Sequence, residues 1–121
     1  MDAKTALKEL STMDGFVGSC IADSGSGMML AAAGGGSEIN IELAAAGNTE
    51  VVRAKLKTMD MLGLDDQIED ILITLTKQYH LIRLSSRNRG LFIYLVVTKS
   101  KANLAMSRMK LAAVERELVI G

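Results

Sequence analysis

One heptapeptide, Leu91-Phe92-Ile93-Tyr94-Leu95-Val96-Val97, limits the fold more than any other part of the chain. It offers no polar face. A strand apolar on both faces has to be covered on both, so it predicts a sheet sandwiched between helices. Two further apolar runs precede it between Gln67 and Thr98, set off by the polar turns Thr76-Lys77-Gln78 and Ser86-Arg87-Asn88-Arg89-Gly90. Connections this short predict antiparallel hairpins. A sheet buried on both faces leaves little room for an interior active site. The chain is expected to work through its outer surfaces.

Helices flank these strands. Ala3, Ala6, Leu7, Leu10 and Met13 recur at helical spacing after the candidate N-cap Asp2, and Asp14-Gly15 marks the stop. A strand is predicted over Phe16–Ala22, a hairpin loop at Asp23-Ser24-Gly25-Ser26-Gly27, and a return strand over Met28–Ala33. Gly34-Gly35-Gly36-Ser37 then breaks the chain before a long helix, Glu38–Leu62, capped by Ser37 and ended by Gly63. At about 1.5 Å per residue it is roughly 35 Å long, enough to cross a small sheet. Ile68–Leu75 is a plausible edge strand. A final helix, Ala102–Ile120, starts near Ser100 and carries the stripe Leu104, Ser107, Leu111, Val114 and Leu118. The order is α-β-β-α-β-β-β-α, with three helices distributed over two faces of the sheet.

With 121 residues and no internal repeat or linker, residues 1–121 are read as a single domain. The formal net charge of zero gives no reason to expect nucleic acid or an acidic membrane as partner. Aromatic residues are too scarce, at 3%, to build a base-stacking platform. Cys20 is the only cysteine, so an internal disulfide is impossible and a reducing compartment is favoured. The N-terminus lacks a basic leader with an apolar run, and no stretch approaches the ~18 apolar residues of a membrane span. A cytoplasmic protein without membrane insertion is expected.

The long helix has more apolar surface than one sheet requires. Steps of 100° gather Glu42, Thr49, Glu50, Arg53, Lys57 and Asp60 into an arc of roughly 100°. One apolar stripe holds Ile41, Ala45, Val52, Leu56 and Met59. A second, offset by roughly 80–160°, holds Leu43, Ala44, Gly47, Val51, Ala54, Met61 and Leu62. A helix resting on a sheet needs one stripe of roughly 100°. The second meets either another part of the same fold or another molecule, and a second copy is the favoured reading. Ala44, Gly47 and Ala54 would admit a close-packed helix. The apolar edge strand, with Ile71 and Ile73 on one face, would pair with its twin. Side-by-side strands and crossing helices make a two-fold homodimer, whose candidate interface is Ala44, Gly47, Val51, Ala54, Met61, Leu62, Ile71 and Ile73.

With these residues in view, the chain resembles the Roadblock/dynein light-chain family. The likeness runs through Met13-Asp14-Gly15-Phe16-Val17-Gly18-Ser19-Cys20-Ile21-Ala22-Asp23, the Ala-rich long helix, Gly90-Leu91-Phe92-Ile93-Tyr94-Leu95-Val96-Val97, and Lys101-Ala102-Asn103-Leu104 opening the last helix. It covers nearly the whole chain. It implies an α+β, profilin-like three-layer fold: a five-stranded antiparallel sheet with the long helix on one face and both terminal helices on the other. It also implies dimerisation through the long helix and edge strand, no nucleotide binding, and service as regulator or scaffold of small Ras-like GTPases or as a motor-complex subunit. The Ser24-Gly25-Ser26-Gly27 loop departs from the simple Asp-Gly turn common in that family.

No catalytic, cofactor or metal site is expected. Gly34-Gly35-Gly36-Ser37 lacks the Gly-Lys-Ser/Thr of a phosphate-binding loop and reads as a connector. Cys20 reads as a small hydrophobe, because its only conceivable base, His80, has no legible relation to it. Asp65, Asp66, Glu69 and Asp70 read as a solvated loop. Arg83, Arg87 and Arg89 form a basic group that would steer a partner. The favoured function is a non-enzymatic homodimer that binds or regulates a small Ras-like GTPase. The alternatives are a small-molecule sensor and a scaffold subunit of a larger complex.

Overall fold

A computed structural model describes residues 1–120. Among them the elements are α1 (Ala3–Leu10), β1 (Phe16–Asp23), β2 (Met29–Gly34), α2 (Ile41–Leu62), β3 (Asp70–Thr74), β4 (Gln78–Leu84), β5 (Leu91–Thr98) and α3 (Leu104–Glu117). The strands form one antiparallel sheet in the order β2-β1-β5-β4-β3. β5, the strand with no polar face, lies at its centre.

Alternation along the strands divides the core in two. Cys20, Ala22, Ile82, Phe92, Tyr94 and Val96 point to one face, where Ile41, Ala45 and Val52 of α2 cover them. Ile21, Leu81, Ile93, Leu95 and Val97 point to the other, under Ala6, Leu7 and Leu10 of α1 and Leu111, Val114 and Leu118 of α3. The fold is therefore the expected α+β three-layer arrangement. Each apolar side chain sealed this way contributes ~1.5–3 kcal/mol relative to exposure, which is why β5 sits at the centre.

α2 lies along β1 and β2. Its first turn seats on Gly18, where an added Cβ would stand 2.8 Å from Ile41 Cδ1 and 2.9 Å from the Gly35 nitrogen. Further along, the Arg53 guanidinium donates to the carbonyls of Ser24 and Gly25 in the β1–β2 turn. On the opposite layer α1 packs against β1 and β2, and α3 against β4.

Several element ends differ from the sequence expectation. α2 begins at Ile41 rather than Glu38, capped by Asn40, whose Oδ1 accepts from the Leu43 N–H at 3.0 Å. Gly34, Gly35 and Gly36 all have positive φ, and Glu38 and Ile39 bond back to the Gly35 carbonyl, so Ser37 belongs to the turn. Gly63 does end the helix in the left-handed conformation. Thr49, placed in the charged arc by periodicity, is buried and donates to the Ala45 carbonyl, whereas Leu56 is exposed. α1 stops at Leu10, because the Ser11 and Thr12 hydroxyls donate to the carbonyls of Lys8 and Glu9. α3 starts at Leu104 with Asn103 as cap and ends at Glu117. β3 is shorter than Ile68–Leu75.

Candidate functional site

Two helices cover the α1/α3 face of the sheet; α2 alone covers the other, and it sits toward β1 and β2. The strip over β3 and β4 beside α2 is consequently only half filled. Ile71 pairs with Ile82 and Ile73 with His80, which places both β3 isoleucines on the α2 side of the sheet. Both are only half-buried. Val51, Lys55 and Met59 of α2 and Arg108, Met109 and Ala112 of α3, with Leu64, Ile71 and Arg83, line a cleft of about 890 Å³ that wraps round the edge strand β3. β3 hydrogen-bonds to β4 on one side and is the edge of the sheet on the other.

The flank and back of α2 carry the second apolar stripe into solvent. Met61 is 76% and Leu43 69% exposed, and Val51, Leu62, Gly47 and Ala54 are exposed as well. Ala44 is half-buried beside the helix-side core. A Cβ added at Gly47 would meet no atom within 4 Å. Nothing within the described residues fills this flank.

The floor of the strip is polar in a way the sequence did not announce. The Tyr94 hydroxyl lies 2.8 Å from His80 Nδ1, and His80 Nε2 lies 2.8 Å from Gln78 Oε1. Because the amide oxygen only accepts, Nε2 carries the proton and Nδ1 accepts from Tyr94. Asn48 of α2 donates to the Ala44 carbonyl at 2.8 Å. Burial pushes the Tyr94 phenol up to about 12, with Asn48 opposing, and holds the His80 imidazole below its ordinary value. The cluster is neutral at pH 7. Its alternation with isoleucines hid it: Tyr94 reads as core and His80 as one polar residue on a strand.

The basic group divides. Arg83, expected at the surface, is a correction: its side chain is 15% exposed and its Nε donates to Glu115 Oε1 at 3.1 Å. Glu115 is 2% exposed and also accepts from the Ser86 N–H and hydroxyl. Burial alone would raise its carboxyl, but the Ser86 bonds and the Arg83 guanidinium hold it below the ordinary value. Arg87 and Arg89 remain exposed. In the acidic group, Asp70 is bound by Arg108 of α3 at 2.9 Å, while Asp65, Asp66 and Glu69 are exposed.

Cys20 pairs across from Tyr94 in the β1–β5 register, and burial pushes its thiol up to about 12. Both His80 ring nitrogens are engaged elsewhere, so no base prepares a thiolate there. The Ser24–Gly27 segment is a clamped turn: Gly25 N–H donates to Asp23 Oδ1, and Ser24 donates to the Gly90 carbonyl. No helix among the described residues is long and apolar enough to cross a membrane.

No protein-family model and no curated protein matches the sequence. Solved structures do match in shape. MglB of Myxococcus xanthus superposes with a TM-score of 0.81 at 12% identity, covering 93% of this chain and 88% of its own. A Roadblock/LC7 domain from Streptomyces avermitilis gives 0.79 at 9% identity, over 96% and 93%. The gliding protein MglB of Thermus thermophilus gives 0.73 at 15% identity, over 95% and 89%. At these identities the likeness is one of fold, and the chain has the Roadblock/LC7 fold.

Proposed function

We propose that the chain acts as one non-enzymatic, cytoplasmic Roadblock-like unit that pairs with a second copy and binds or regulates a small Ras-like GTPase. The observation that carries the pairing is the half-filled strip beside α2, flanked by exposed Val51 and by an apolar β3 edge. Antiparallel addition of a twin β3 would extend the sheet, and the twin α2 would lie against Ala44, Gly47, Val51 and Ala54. Met61, Leu62, Ile71 and Ile73 complete the contact. MglB, which shares the fold, also exists in a tetrameric arrangement. The GTPase follows from the resemblance to the Roadblock family, and exposed Arg87 and Arg89 beside the β1–β2 turn offer it a charged contact.

Regulation requires the partner's two nucleotide states to bind unequally. Capture of a purified small GTPase from the same cells, loaded with GTP or with GDP, on the immobilised chain tests it. Preferential recovery of one state supports regulation, and equal recovery of both removes it. Inability to capture the GTPase in either state removes the GTPase reading altogether.

A further inference from the structure

His80 is the only histidine of the chain, and the fold sets it on the strip that α2 leaves open. Alternation along β4 turns it to the α2 side, level with Ile73 of the edge strand and Val96 of β5. Its ring is half-buried and meets that of Tyr94 edge to face, with centroids 5.5 Å apart. The neutral imidazole satisfies both nitrogens, accepting from Tyr94 and donating to Gln78. A second proton would make Nδ1 a donor, so the buried Tyr94 hydroxyl would have to aim its hydrogen elsewhere.

The surroundings do not favour that charge. On this face β3 presents Ile71 and Ile73, and β4 adds Ile82 and Leu84. Cys20 of β1 and Tyr94 of β5, the titratable groups beneath α2, are kept neutral by burial. Lys55 of α2 lines the cleft and Lys77 stands in the β3–β4 turn, both of the same sign as an imidazolium. The carboxylates lie away from the ring. Asp66 and Glu69 are exposed at the Leu84 end of β4, and Asp70 is bound by Arg108 of α3.

We infer that His80 makes pairing sensitive to acid: two copies associate while its ring is neutral and separate as it takes up a proton. The inference rests on the pairing through β3 and α2 proposed above. In a single copy the half-open ring keeps part of its contact with water. A twin laid over Ile71 and Ile73 would remove that water and raise the cost of an imidazolium. Paired copies therefore hold the proton less tightly than single ones. In the single chain, burial already holds His80 below its ordinary 6.5. Pairing is accordingly at full strength above the single-chain value and is lost as pH falls through it. A two-fold pair covers two such rings, so the effect enters twice. No second histidine exists to share the response.

Sedimentation velocity of the intact chain at about pH 7.5 and about pH 5 reads the effect. The dissociation constant should rise about tenfold at the lower pH, and by less than about twofold in His80→Gln. The single histidine also gives one Hε1 proton resonance, which tests the inference without a variant. Its titration midpoint should move to lower pH as the chain is concentrated through the pairing range. Equal pairing at both pH values, a response that persists in His80→Gln, or a midpoint independent of concentration would overturn the inference while leaving pairing in place. A chain monomeric at every pH and concentration would remove the pairing itself, and the inference with it.

Discussion

The two faces of the sheet solve the same covering problem with different numbers of helices. Under α1 and α3, Leu81, Leu95, Leu111, Val114 and Leu118 are all buried, and Leu72 of β3 is half-buried at the margin. Under α2, Phe92, Tyr94 and Val96 are equally buried, but the protection stops short of β3, where Ile71 and Ile73 remain half-open. β3 is half-buried on both faces, but on the α2 face it presents two isoleucines, Ile71 and Ile73, where the reverse presents one leucine, Leu72. The uncovered strip lies next to the free edge of β3, and a twin would supply both a helix and a strand at once. The difference between the faces is thus the physical reason to expect pairing.

Matched truncations on adjacent strands give the sharpest contrast. Leu81→Ala, on the α1/α3 face, should cost about 2–5 kcal/mol in chemical denaturation. Ile73→Ala, on the open face, should cost clearly less at dilution where pairs dissociate. Equal losses would mean that the open face is already sealed within one chain.

Glu115 tests the α1/α3 face through its buried charge. Glu115→Ala takes the nearer carboxylate from half-buried Arg83, leaving only exposed Glu69 at 3.9 Å, and should cost about 3 kcal/mol. The Glu115 carboxyl is held below its ordinary 4.5 in the folded chain. Its contribution is therefore fully present above that ordinary value and is lost as pH falls through the folded one. Denaturation profiles should show Glu115→Gln less acid-sensitive than the parent below about pH 4.5. An unchanged acid profile would remove Glu115 as its source.

On the open face, Val51→Asp with Ile73→Asp should weaken self-association at least tenfold, about 1.4 kcal/mol or more, without unfolding the chain. Gly47→Ala has the smallest expected effect. It should stabilise the isolated helix by about 1 kcal/mol, while failing to strengthen pairing if a second helix needs the space that Gly47 leaves. Tighter pairing in Gly47→Ala would place the close approach elsewhere.

The architecture was legible because its strongest signals are local: the seven apolar residues of β5, the short hairpin turns, and Gly63 in the position of a helix stop. Helix starts were not: Ser37 reads as the cap of the long helix, and only the positive-φ glycine turn over Gly18 moves the start to Asn40. The spare apolar surface of α2 was also legible, by periodicity. What could not be read was decided between distant segments. Arg83 looks like a surface cation until Glu115, 32 positions away, folds over it. The Asn48–Tyr94–His80–Gln78 cluster joins α2 to β4 and β5, and no spacing in the chain foretells that.

Analytical ultracentrifugation of the intact chain over a dilution series reaches the pairing claim most directly. Pairing through β3 and α2 yields a dimer that dissociates on dilution and becomes monomeric in Val51→Asp, Ile73→Asp. A monomer at every concentration, or a dimer untouched by those two changes, would contradict it.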